Sequence, residues 1–241
     1  MTSPKIAVVD YHKGNLSSVV RGLARAGASA FATDVPREIA TADGVVIPGV
    51  GSFCDAAVFM RDSGQGEAIV SAANACKPLL GICLGLQLLF DCGDEGLPSH
   101  VEFDAAPDEY GKELGIGTVF SARDKKWIRG LGLLLGTCEK LESGRLKVPH
   151  VGWDQVHLTK RGNVNPLLAG FTEGANVYFT HSYVVSSDCD ITNVLARTHY
   201  VQSFPCVAGR DNIWGVQFHP EKSSAQGLMI LDNFVNIVKE A

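Results

Sequence analysis

Gly81-Ile82-Cys83-Leu84-Gly85 is the stretch whose reading decides the fold. It follows an apolar run, Pro78-Leu79-Leu80, and precedes a helical run, Leu86-Gln87-Leu88-Leu89-Phe90. A nucleophile elbow between strand and helix needs glycines two residues either side of its cysteine. The turn there is sharp, and side chains beside the nucleophile would collide. The thiol is then expected at a helix N-terminus, where the dipole and free N–H groups favour thiolate. A cysteine so placed points to acyl transfer through a thioester.

Upstream of the elbow, strands and helices alternate. Residues 5–10 read as a buried strand and Tyr11-His12-Lys13-Gly14 as a loop. Asn15 is a candidate cap for a helix to about Ala26, with Leu16, Val19, Val20 and Leu23 on one face. Residues 29–33 read as a second strand, Pro36 opens a short helix, and 44–48 is a third strand. The loop Pro48-Gly49-Val50-Gly51-Ser52 follows, then predicted helices over 55–61 and 66–75, then a fourth strand over 78–82. This pattern predicts an α/β fold with a doubly wound, mostly parallel sheet and flanking helices. Ligands bind such sheets outside the carboxyl ends of the strands, where the 48–51 loop and Cys83 both fall.

Downstream of about Asp94 the helical signal fades, and Gly, Pro and charge are frequent up to Gly132. Short strands are expected near 133–137, 155–158, 176–183, 191–198, 206–209 and 213–216, paired antiparallel as hairpins. A final helix runs from about Ala225 to Lys239. Residues 97–130 read as a long excursion, of the kind that is functional or disordered.

Length and composition fit one large domain over residues 1–241, with 46% apolar and 20% charged residues. The net charge of −5 argues against nucleic acid as the main partner. No apolar stretch approaches a membrane span, and no signal peptide is visible before the first strand. The seven cysteines form no C-x-x-C pair and no zinc spacing. All but Cys83 read as small, mostly buried thiols, which suits a cytoplasmic location.

A thiol nucleophile needs a base, and the base an orienting group. Val216-Gln217-Phe218-His219-Pro220-Glu221 supplies a candidate pair. Pro220 keeps the chain extended or turned, and residues i and i+2 of an extended chain share a face, so Glu221 can hold the His219 imidazole. The Leu84 N–H, one residue past the nucleophile, is the natural first oxyanion donor. The Pro48–Gly51 loop is the candidate source of a second, at Val50 or Gly51.

Four motifs stand in order: PGVGSF at 48–53, GICLGLQ at 81–87, PHVGW at 149–153 and HPEKS at 219–223. Together they resemble the class I (triad) glutamine amidotransferases, whose sheet is flavodoxin-like. More narrowly, PHVGW and Tyr178-Phe-Thr-His-Ser-Tyr183 resemble the glutaminase subunits of imidazole glycerol phosphate synthases of histidine biosynthesis. The resemblance implies that Cys83 attacks the carboxamide of glutamine, that His219 moves the proton, and that Glu221 orients His219. It implies that Gln87 helps to bind glutamine, that Glu95 meets its α-ammonium group, and that the backbone at Ser182 and Tyr183 receives its α-carboxylate. It further implies that the loop matching 48–51 rearranges before its donor faces the oxyanion. Ammonia then passes to a (β/α)8-barrel synthase subunit, with Tyr178, His150, Trp153 and Lys222 at or near the contact. No metal or other cofactor is implied.

The chain departs from the resemblance twice. Asp154 stands where the family commonly has an amide, and residues 97–130 include roughly 30 in excess. That excess carries the basic, aromatic stretch Asp124-Lys-Lys-Trp-Ile-Arg129, read as a surface insertion, a synthase contact or a cover for the glutamine pocket. A paralogous glutaminase serving another acceptor, such as nucleotide-sugar amidination, and a catalytically silent scaffold subunit stay open as alternatives.

Overall fold

A computed structural model describes residues 3–12, 16–97, 108–142, 144 and 146–241. The Asn15 cap and part of the 97–130 excursion lie outside the described residues. β1 (Lys5–Val9), α1 (Leu16–Arg25), β2 (Ser29–Thr33), α2 (Pro36–Thr41) and β3 (Gly44–Ile47) alternate as expected. α3 (Phe53–Asp62), α4 (Gln65–Asn74) and β4 (Leu79–Ile82) continue the pattern up to the elbow. Side chains of a strand alternate between faces, and here both faces are covered. Ile6, Val8, Val46 and Leu80 pack with Val19 and Leu23 of α1. Val9, Val45, Ile47 and Leu79 pack with Met60 and Ile69 of α3 and α4. Each such aliphatic side chain, fully buried, contributes about 1.5–3 kcal/mol.

After Cys83 come α5 (Leu84–Leu88), β5 (Phe90–Gly93), β6 (Val119–Ala122) and β7 (Lys125–Arg129). The remainder is β8 (Leu134–Lys140), β9 (His150–Leu158), β10 (Ala175–His181), β11 (Tyr183–Val185), β12 (Val194–His199), β13 (Ser203–Arg210), β14 (Ile213–Val216) and α6 (Ser224–Glu240). Nine strands form one sheet in the order β10-β9-β12-β13-β14-β4-β3-β1-β2. Five more form a second, in the order β11-β8-β5-β7-β6.

Three expectations need correction. The expected hairpin strand at 213–216 pairs antiparallel with β13 but parallel with β4, so it joins the two halves of the large sheet. Its carboxyl end therefore emerges beside that of β4, which brings His219 to Cys83. Second, the helix after the elbow ends at Leu88 and gives way to β5. Tertiary pairing overrides helix propensity here: the buried Asp91 bonds Arg129 Nη1 at 2.7 Å and accepts the Gly136 N–H at 2.9 Å.

Third, part of the long excursion is the hairpin of β6 and β7. Its turn residues, Arg123 and Asp124, have φ of 53° and 55°. That is the primed-turn conformation, but the signal for it in sequence is Asn-Gly or Asp-Gly. The basic, aromatic stretch is thus a structural strand: Trp127 and Arg129 are buried, and Lys125 bridges Asp94 and Glu139.

Candidate active site

Cys83 sits at the carboxyl end of β4 with φ 54° and ψ −107°. A non-glycine residue held at such angles is strained, and its neighbours must over-determine it. They do. The Cys83 N–H donates to the Val216 carbonyl at 2.7 Å. A Cβ on Gly85 would stand 1.9 Å from the Ile47 carbonyl oxygen, so β3 and the elbow touch backbone to backbone. The helix that follows has five residues, so the dipole at its N-terminus is short and local N–H groups such as that of Leu84 are what the turn offers.

The Cys83 thiol is buried. Gln217 Nε2 donates to its Sγ at 3.6 Å, and Sγ points to the Thr180 carbonyl at 3.9 Å. His219 Nδ1 and Glu221 Oε1 are 3.0 Å apart, with both side chains about 95% buried. His219 Nε2 and Glu221 Oε2 have no completed hydrogen bond among the described residues. Burial opposes charge on His219, but the nearby Cys83 sulfur and the Glu221 carboxylate outweigh it and raise its pKa to about 9. The contact of His219 with Cys83 is therefore electrostatic in this geometry rather than a finished hydrogen bond. The imidazole is set to hold a proton between sulfur and carboxylate.

A cavity of about 230 Å³ opens on Cys83. Gly49, Val50, Gly51, Leu84, Gln87, Glu95, Ser182 and Tyr183 line it, with Thr180 and His181. Its size falls below the ~300–1,000 Å³ of drug-sized sites and suits an amino-acid-sized ligand. Burial raises the pKa of Glu95, and the Phe53 N–H, which it accepts at 3.0 Å, pulls the other way. A separate hollow of about 20 Å³ is bordered by Pro48, Gly49 and Val50 of the loop and by His219, Glu221 and Lys222.

A hydrogen-bond chain runs behind the cavity. Gln87 Nε2 donates to the Tyr183 carbonyl at 2.8 Å and to Gln217 Oε1 at 3.1 Å. His181 Nδ1 meets the same carbonyl at 3.0 Å, and its Nε2 lies 3.2 Å from His150 Nδ1. His150 Nε2 lies 3.2 Å from Asp154 Oδ2. Facing a carbonyl, His181 Nδ1 must carry the hydrogen, and burial beside His150 pushes its pKa to about 3, so the ring is neutral and Nε2 accepts. His150 Nδ1 must then donate, which leaves Nε2 facing a carboxylate that also accepts. Another proton is needed at that contact. Burial lowers the His150 pKa against the pull of Asp154.

The partner-facing residues predicted from sequence separate into two groups. Trp153 is 51% exposed and packs edge-on against its cross-strand neighbour Tyr178, ring centroids 6.1 Å apart. Lys222 Nζ stands 5.9 Å from the Tyr178 ring. The Tyr178 carbonyl accepts the His219 N–H at 3.0 Å, so this face is joined directly to the catalytic candidates. His150 lies beneath the surface rather than on it. It is 1% exposed, stacked between Tyr200 and Phe179 at 4.1 and 4.8 Å.

The family profile described as glutamine amidotransferase class-I matches residues 7–238. The chain belongs to the class-I glutamine amidotransferases. It is 37% identical over 235 residues to the imidazole glycerol phosphate synthase subunit HisH of Desulfitobacterium hafniense, covering 98% of this chain and 95% of that protein. It is 41% identical over 236 residues to the HisH subunit of Gloeobacter violaceus, covering 97% and 89%. In fold, it matches the PurLQS structure from Thermotoga maritima with a TM-score of 0.65 at 18% identity, covering 98% of this chain and 99% of that one. A putative GMP synthase subunit from Thermoplasma acidophilum matches with a TM-score of 0.63 at 16% identity, covering 99% and 95%.

Within this amidotransferase, sequence reasoning missed Gln217 and Thr180 at the Cys83 sulfur, and Tyr11, whose hydroxyl donates to the Pro48 carbonyl of the 48–51 loop. Gln217 had a usable signal: an amide beside a buried strand end, two residues before His219. Thr180 acts through its carbonyl, which leaves no mark in a sequence.

The unmatched His150–Asp154 contact gives a pH-dependent expectation. Asp154→Asn supplies an N–H donor to His150 Nε2 and should stabilise the fold by ~0.5–1.5 kcal/mol above pH ~6.5. A histidine whose folded pKa is lowered costs stability as pH falls below its unfolded value near 6.5. Losing the Asp154 carboxylate deepens that lowering. The groups facing His150 are Asp154, His181, Tyr200, Phe179 and Phe204, so Asp154 is its one counter-charge among them. The variant should therefore be the more stable chain at pH 8 and the less stable at pH 5, by thermal denaturation. Parallel curves would contradict the proton count.

Proposed function

We infer that this chain hydrolyses glutamine to glutamate and ammonia through a γ-glutamyl thioester on Cys83. It does so as the glutaminase subunit of an imidazole glycerol phosphate synthase in histidine biosynthesis. Ammonia passes to a (β/α)8-barrel synthase subunit docked on the face of Trp153, Tyr178 and Lys222. The observation that carries the reading is a strained Cys83 that opens on an amino-acid-sized cavity and whose sulfur, with Glu221, favours the charged form of the buried His219.

Each step has a group. Cys83 Sγ attacks the carboxamide carbon, and His219 Nε2 takes the thiol proton, its charge stabilised by Glu221. The oxyanion meets the Leu84 N–H and a second donor from the 48–51 loop. Collapse of the tetrahedral intermediate breaks the C–N bond, and His219 returns the proton to the leaving ammonia. Water then hydrolyses the thioester, with His219 as base. Glu95 takes the substrate's α-ammonium group, and the Ser182–Tyr183 backbone its α-carboxylate. Gln87 braces Tyr183.

The purified chain should hydrolyse glutamine slowly and accelerate when the synthase subunit and its ligand bind. High activity of the lone chain, indifferent to any barrel partner, would contradict the coupling. Rescue of a histidine auxotroph lacking its own glutaminase subunit tests the pathway. Failure to rescue with glutaminase activity intact would assign the chain to another ammonia-consuming synthase.

His219→Asn should lower glutaminase kcat by at least ~10², the low end for a general acid–base group. Asparagine keeps much of the volume, so the melting curve separates a chemical loss from misfolding. A near-normal rate would remove His219 from the mechanism.

A further inference from the structure

The β6–β7 hairpin is joined to the walls of the Cys83 cavity by a side chain that none of these steps uses. Lys125 opens β7, and its Nζ lies 2.5 Å from Asp94 Oδ2 and 2.7 Å from Glu139 Oε2. Each carboxylate stands beside a residue that lines the cavity. Asp94 immediately precedes Glu95, and Glu139 of β8 is the cross-strand partner of Val184, which immediately follows Tyr183. Glu95 and Tyr183 both line the cavity. The β5–β8 register ends at Gly93 and Cys138, and the Asp94 N–H reaches back to the Cys138 carbonyl at 3.3 Å. Past that bond, the Lys125 ammonium ties the two strand ends together. The ammonium has a fixed support: it lies 4.7 Å from the ring of the buried Trp127, whose Nε1 donates to the Ala122 carbonyl at 2.9 Å.

We propose that Lys125 is a clamp, a positioning residue that sets the spacing between Glu95 and the Ser182–Tyr183 backbone, the two receivers of the glutamine head group. The proposal rests on the glutaminase reading above, in which Glu95 takes the α-ammonium group and that backbone the α-carboxylate. Without the Lys125 ammonium, Asp94 and Glu139 face each other uncompensated, and like charges push the two strand ends apart. Burial opposes charge on Lys125, but its bonds to Asp94 and Glu139 outweigh burial and raise its pKa, so the clamp stays charged.

The size of the effect follows from what the clamp aligns. An amino acid held at both charged ends loses one well-made bond when its receivers stand at the wrong spacing. That loss weakens glutamine by about two- to twelvefold. Lys125→Met keeps an apolar stem over Trp127 and removes the ammonium. The carboxamide end still meets Cys83 and His219, so the loss falls on KM rather than kcat. A ligand with the carboxamide and the carboxylate but no α-amino group does not bridge the two receivers, and its binding does not depend on their spacing.

The test measures glutaminase kinetics in the complex with the synthase subunit and its ligand, for wild type, Lys125→Met and Lys125→Arg. Lys125→Met should raise KM for glutamine about two- to twelvefold at unchanged kcat. Lys125→Arg should restore KM, since a guanidinium can bond both carboxylates. Inhibition by glutaramate, which is glutamine without its α-amino group, should be equal in wild type and Lys125→Met. A merely structural role would weaken both ligands alike and lower kcat. Unchanged KM, a loss carried by kcat, or equal weakening of glutamine and glutaramate overturns the clamp. Should Lys125→Met fail to fold, Glu139→Gln decides, because it cuts one arm and leaves Lys125 on Asp94. A raised KM at unchanged kcat then supports the clamp, and an unchanged KM overturns it. A wild-type complex that hydrolyses no glutamine would defeat the functional reading instead. Calorimetric binding of glutamine to the lone chain would still test the clamp: weaker binding by Lys125→Met supports it, and equal binding overturns it.

Discussion

Cys83→Ala lowers glutamine-dependent turnover by ~10⁴-fold or more, the scale on which catalysis falls when a covalent nucleophile is deleted. Synthesis from free ammonia in the complex with the synthase subunit continues. Alanine meets the same penalty as cysteine at φ 54°, so the elbow keeps its shape and only the sulfur goes. No other thiol can replace it. Burial pushes Cys92 to about 12 and Cys189 to about 11, and raises Cys54, Cys138 and Cys206. Exposed Cys76 precedes β4, at the end of that strand opposite the site. Assays with glutamine and with ammonium salt on one preparation check both halves. If ammonia-dependent synthesis vanished too, Cys83 would have a role outside the thioester.

The same variant changes alkaline stability. The His219 pKa is raised from 6.5 to about 9, so its stabilising contribution is complete below ~6.5 and is lost as pH rises through about 9. Burial works against that rise; the sulfur and Glu221 produce it. Without the sulfur the raising weakens. The wild-type loss of stability between pH ~6.5 and about 9 should therefore flatten in Cys83→Ala.

What sequence reveals of this site is what local spacing encodes. Two glycines around Cys83 announce the elbow, because a turn that tight admits no side chains beside it. His219 and Glu221 are legible as a pair because i and i+2 of an extended segment share a face, and their separation is 3.0 Å. Their meeting with Cys83 is less legible, since it depends on β14 pairing parallel with β4. The strand reads as one of a series of hairpins, and nothing local marks its second neighbour. β6 and β7 were hidden for another reason. Arg123 and Asp124 make a turn that sequence associates with Asn-Gly, so a strand pair passes for loop. Tyr11 was invisible as a site residue because its hydroxyl acts on backbone 37 positions away. A loop tyrosine ahead of a helix carries no sign of that.

Gly85→Ala should lower the melting midpoint by roughly 2–12 °C, from an overpacking cost of ~1–3 kcal/mol in a chain of this size. The added Cβ would stand 1.9 Å from the Ile47 carbonyl oxygen and 2.8 Å from its carbon. Those are backbone atoms of β3, which cannot rotate aside, and β3 is paired with both β1 and β4. The elbow and β3 must therefore separate by more than 1 Å before the contact reaches the 3.0 Å that real Cβ atoms keep. Pro48 follows Ile47 immediately, so the displacement passes straight into the loop that faces Cys83. Glutaminase activity should then fall further than stability does, by ~10² or more, because misplacing reacting groups by 1 Å can cost that much. Gly85→Val adds two methyl groups to the same clash and should yield no folded chain. Circular dichroism melting and a glutamine assay on Gly85→Ala check the argument. An unchanged midpoint would mean that β3 does not lie against the elbow, and full activity with a lowered midpoint would mean that the position of the loop does not limit the reaction.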